Sequence, residues 1–134
     1  MSVSLIVKHA NKMKKQFTLT GGTYDDTIYV SVGTTYQELK DWFTTLPGNE
    51  DLPFPHEKDL FGDSYGFFED TLNIIWLDVW DNSEHSNDIL RHEVHHAVQK
   101  LLAISRGMYD EYEALAYQQD YLIRSIRSIL NTEE

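Results

Sequence analysis

Apolar positions along the chain change their period twice, from short clustered runs to a helical stripe and back again. Leu5 to Lys8, Phe17 to Thr20 and Thr27 to Val32 are brief runs rich in β-branched and aromatic residues, which predicts strands. Gly21-Gly22 separates two of them as a turn, so a hairpin or meander is expected. The basic cluster Lys12, Lys14, Lys15 in the first connection reads as a charged loop or a protected sheet edge. Thr35 followed by Glu38 is a capping-box pattern, and Tyr36, Leu39, Trp42, Phe43 and Leu46 follow at helical spacing until Pro47-Gly48. This predicts a short helix over 35–46. Gly48 to Gly66 holds Pro53, Pro55, Gly62 and a run of acids, and reads as a long irregular surface segment of the kind that often carries function.

Leu72 to Trp80 is nearly continuously apolar and of strand length, so a largely buried strand is expected. Asp81-Asn82-Ser83 turns the chain, and Ser86, Asn87 and Asp88 offer N-cap oxygens to a helix whose apolar face is Leu90, Val94, Ala97 and Leu101. Gly107 ends that helix. Asp110 then caps a last helix with the stripe Tyr112, Leu115, Ala116, Gln119, Leu122, Ile126 and Ile129. The expected fold is α+β in a single domain over 1–134: a small N-terminal β-sheet with a short helix, then two helices.

Within the first of the two late helices, His92-Glu93-Val94-His95-His96 satisfies H-E-x-x-H. Residues i and i+4 share one helical face, about 5–6 Å apart at Cβ, so two imidazole nitrogens can each meet one zinc at about 2.0–2.1 Å. Glu93 points about 100° away, too far round to be a third ligand but near enough to act as general base on a water at the ion. With six His and ten Glu in the chain, chance supplies about 0.02 such matches. The chain has no cysteine, so any metal is held by His, Asp or Glu. A catalytic zinc takes three protein ligands, and the third must come from downstream, from Asp110, Glu111, Glu113 or Asp120. Glu113, beside Ala116 and Tyr117 at the edge of the stripe, is the candidate chosen. Asp110 with Glu113 is equally a capping box, and a tight antiparallel hairpin would set Asp120 level with the metal instead.

The pairing of H-E-x-x-H with a downstream helix carrying Glu-Ala-Leu-Ala-Tyr resembles the gluzincin type of zinc metallopeptidase, in particular minimal gluzincins and small phage-encoded proteins of similar pattern. The resemblance spans roughly residues 72–122 and implies a zincin-like fold, with an active-site helix followed by a glutamate-bearing helix. It implies Zn2+ on His92, His96 and Glu113, with Glu93 as catalytic base. It also implies that the strand before the active-site helix, Leu72 to Trp80, pairs with extended substrate. Larger gluzincins often carry Asp four residues after the glutamate; this chain has Tyr117, which could hydrogen-bond the metal site or donate to a developing oxyanion.

Charge narrows the partners. The chain carries 22 acids and 11 bases, a net charge of −11, and residues 50–93 alone hold 12 acids against two bases. Such a surface repels a phosphate backbone and concentrates cations, which argues against nucleic acid and for a peptide or protein substrate with basic residues. No apolar stretch has the length of a membrane span, and Val3 to Val7 is too short for a signal-peptide core, so a cytoplasmic protein is expected, in the host cytoplasm if phage-encoded. Two rivals stand beside the peptidase: a non-catalytic zinc-binding protein of the same fold, and an acidic interaction or regulatory protein. A purely structural zinc has no need of Glu93, which weighs against the first.

Overall fold

The apolar runs become the inner strands of a four-stranded sheet. In the computed structural model, which describes residues 13–20, 26–62 and 64–132, the strands are β1 (Lys15–Thr20), β2 (Thr27–Val32), β3 (Gly66–Glu69) and β4 (Ile74–Leu77). Their spatial order is β1-β2-β4-β3. β1 runs antiparallel to β2, β2 parallel to β4, and β4 antiparallel to β3. The hairpin pairing of β1 with β2 matches expectation; Leu5 to Lys8, Lys12 and Gly21-Gly22 lie outside the described residues. β1 is an edge strand, and its flanking lysines are engaged: Lys14 pairs with Glu38 at 2.9 Å, and Lys15 Nζ donates to the Ile129 carbonyl at 2.8 Å.

Among the described residues four helices complete the architecture, which is α+β: α1 (Tyr36–Thr45), the single turn α2 (Glu57–Leu60), α3 (Glu84–Val98) and α4 (Tyr112–Leu130). The sheet is covered on both faces. Ile28, Val30 and Val32 of β2, with Ile75 and Leu77 of β4, pack against Leu90, Val94 and Ala97 of α3 and Leu122, Ile126 and Leu130 of α4. The alternate residues Tyr29, Ile74 and Trp76 face Leu39 and Phe43 of α1 together with Phe54, Phe61 and Phe67. Burial on both faces is the reason Leu72 to Trp80 reads as a continuous apolar run. Among the described residues, no helix is long and apolar enough to cross a membrane.

α1 carries the expected capping box at Thr35 and Glu38. Other boundaries shift for local reasons. β4 is shorter than Leu72 to Trp80 because Asn73 adopts a positive φ of 61° and starts the strand one residue later. β3 arises within and after the segment expected to be irregular; its four residues are all half-buried and carry no alternation that the sequence could display. The N-cap of α3 is Ser83, whose Oγ accepts from the Ser86 N–H, and not Ser86, Asn87 or Asp88; Ser86 and Asn87 are buried within the first turns. α3 continues through wide π turns over Gln99–Ile104 to Arg106, and Gly107, at φ 68°, stops it as expected. α4 is preceded by Glu111 and not capped by Asp110, so Glu113 is not engaged in a capping box there.

Candidate metal centre

Helix α3 delivers the motif to one surface. Val94, Ala97 and Val98 anchor the helix in the core, while His92 and His96, on the flank, open to solvent. Their rings stand at 90° to each other with centroids 4.5 Å apart, and their Nε2 atoms are 3.1 Å apart. Two nitrogens at the zinc distance of about 2.0–2.1 Å in a tetrahedral site are about 3.3 Å apart, so the pair needs a few tenths of an ångström to hold one ion. Ligand atoms of His92, Glu93 and His96 all lie within 4.8 Å of one another, and among the described residues they form the one group able to hold a metal. The two imidazoles therefore fit two positions of a metal site, with Glu93 the one carboxylate beside them among the described residues.

Glu93 is 6% exposed, set between α3 and β3. Burial pushes its carboxyl above the usual range, against the opposing pull of the His92 charge and of the Phe68 backbone N–H, which the carboxylate accepts. Partial burial first, then the charges of His92 and His95, hold His96 below 6.5, which favours the neutral imidazole that can ligate. His95 faces α4, with Nδ1 3.4 Å from Gln119 Oε1.

That contact sets which acids of α4 come near. Gln119 is the residue that reaches the histidine row, and Asp120 follows it, whereas Glu113 lies six residues closer to the turn, about 9 Å along the axis. Glu113 is exposed and the structure does not bring it to His92 and His96. The cause is the length of α3, which the π turns carry to Arg106 before the chain reverses. Asp120 is also exposed and outside the group. Tyr117, two residues before Gln119, is rotated about 160° from it and 72% exposed, on the outer side of α4.

The substrate-pairing role implied for Leu72 to Trp80 does not fit its position. β4 is hydrogen-bonded on both sides, to β2 and to β3, and has no edge to offer. Among the described residues the sheet has two edges, β1 and β3, and β3 is the one that packs beside α3. The Asp78 N–H donates to the Tyr65 carbonyl, so Tyr65, Phe67 and Glu69 turn their backbone groups toward β4, and Gly66 and Phe68 turn theirs outward. Gly66 allows the approach that makes this work: a Cβ there would stand 2.7 Å from Ile89 Cγ2 on α3 and 3.0 Å from the Trp76 carbonyl oxygen. Phe68 and Gly66 thus belong to the site and were missed; only the Gly-Phe-Phe triplet beside a turn hints at them.

No protein-family model, curated protein or solved structure matches the chain.

Proposed function

We propose that the protein is a zinc-dependent metallopeptidase of the gluzincin type, with a zincin-like arrangement of α3 and α4, acting on a peptide laid along the β3 edge. The observation that carries this reading is the 3.1 Å separation of the His92 and His96 nitrogens beside the buried Glu93 carboxylate. When bound, zinc supplies Lewis-acid chemistry, lowering the pKa of a water toward about 7 and polarising a carbonyl. His92 and His96 hold the ion. Glu93, tethered by the Phe68 N–H and raised in pKa by burial, takes a proton from water and passes it to the leaving amine. The backbone of Gly66 and the Phe68 carbonyl, whose own N–H is held by Glu93, orient an extended peptide by main-chain pairing.

A third ligand would be supplied by α4. The hairpin favours Asp120 over the Glu113 implied by the resemblance, because Asp120 lies nearer the histidines along the axis. The test is elemental analysis and zinc titration of untagged protein. The expected result is about one zinc per chain, lost in His92→Ala and His96→Ala, weakened more by Asp120→Ala than by Glu113→Ala. Protein that stays below half occupancy with zinc added would overturn the reading. The reverse order of the two acidic variants would restore Glu113 and show that α4 sits differently against α3.

A further inference from the structure

A cavity of about 210 Å³ lies at the N-terminal end of α3, walled by Tyr65, Val79 and Ile89 and carrying Asp78, Asp81 and His85. It is separate from the metal centre but shares a stripe of α3 with it. His85, Ile89, His92 and His96 recur at intervals of four, three and four residues, which keeps them on one helical face. The seven residues from His85 to His92 span about 10 Å of axis at 1.5 Å each, and an extended peptide rises about 3.3 Å per residue. The cavity therefore sits about three residues along a peptide whose reacting bond lies at the histidines. The outer side of β3 joins the two places, with the Phe68 N–H held by Glu93 and Gly66 against Ile89.

The walls and the end of the cavity differ in chemistry. Val79, Ile89 and the Tyr65 ring, which meets the His85 ring edge to face at 5.4 Å, offer apolar surface to a methylene stem. Asp81 offers a carboxylate to a cationic head. Hydrogen bonds from Ser83, its hydroxyl and then its N–H, keep Asp81 below its usual pKa. A carboxylate has about four lone-pair sites, so those bonds leave room for a cation. We propose that this cavity is a side-chain pocket that selects lysine or arginine within three residues of the cleaved bond, an inference that rests on the peptidase reading above.

The experiment walks a single lysine through a neutral extended octapeptide, with norleucine peptides as the uncharged match. Cleavage is measured with zinc-loaded wild type, and binding with the zinc-loaded Glu93→Gln variant. One position within three residues of the cut should prefer lysine over norleucine about tenfold in kcat/KM and in Kd. The variant Asp81→Asn should erase that preference, its folding checked by Tm. Val79→Lys, which tethers an ammonium from a wall position that is 43% exposed, should erase it as well. A preference that survives both variants, or cleavage with no cation preference at any position, overturns the pocket while leaving the peptidase. Lysine-dependent binding without cleavage by wild type keeps the pocket and overturns the peptidase. Absence of both cleavage and binding overturns both.

Discussion

A carboxylate that is 6% exposed is costly to keep charged, and the charge of His92 and the Phe68 N–H offset only part of that cost for Glu93. The proposed role as a base beside the ion, and not as a ligand on it, makes Glu93→Gln informative. The amide keeps the volume and can still accept from Phe68, so zinc should remain at wild-type stoichiometry while peptide cleavage falls on the order of 10²–10⁴-fold. Undiminished cleavage in the variant would remove Glu93 from the mechanism. The same substitution has a signature in metal-free protein. The folded pKa of Glu93 lies above the unfolded value of 4.5, so the folded state binds the proton more tightly. Stability then falls as pH rises from 4.5 through the folded pKa and stays lower above it. Metal-free Glu93→Gln should accordingly melt above wild type at pH values of about 7–8, and the gap should close on acidification toward 4.5. A gap independent of pH would assign the difference to packing and not to the carboxylate.

Two elements share the site unequally. α3 carries both histidines and Glu93, so metal affinity is largely a property of one helix, whereas placing a substrate requires β3. Gly66 is where the two meet. Gly66→Ala introduces a Cβ at 2.7 Å from Ile89 Cγ2 and 3.0 Å from the Trp76 carbonyl, and must push β3 away from α3 or distort β4. Overpacking of this kind costs about 1–3 kcal/mol. Urea unfolding should register that loss, and zinc affinity should change little because His92 and His96 move together on α3. Turnover should fall more than stability alone accounts for, since Phe68 leaves Glu93. A variant with wild-type urea midpoint would mean that Ile89 yields without cost.

At the scale of the whole molecule, the fold rests on two apolar clusters, one on each face of the sheet, and neither contains the metal-ligating side chains. Chelation should therefore leave far-UV circular dichroism intact and lower Tm, as expected for an ion that binds a preformed site. With free zinc at about 100 times Kd, the loaded protein gains about 2.7 kcal/mol over the metal-free form. Loss of helical signal on chelation would instead make zinc a structural element, which is the non-catalytic rival. The acidic middle third, from 50 to 93, supplies β3, Asp78, Asp81 and Glu93.

The sequence by itself determined what lies within about one helical turn of its cause. The capping box at Thr35 and Glu38, the stop at Gly107 and the shared face of His92 and His96 follow from backbone geometry over three to five residues. Ser83 was harder to read, because five cap-competent residues crowd positions 82–88 and only packing, which buries Ser86 and Asn87, decides among them. Tertiary structure alone decided that β4 is central and β3 the edge, since Gly66–Glu69 acquires strand character from pairing with Ile74–Leu77 and not from its own pattern. It also decided where α4 stands against the histidines: the π turns at Gln99–Ile104 carry α3 on to Arg106, so that Gln119 and not Glu113 comes level with His95. Two ligands on one helix are a local fact, whereas a third from another helix is set by the register between them.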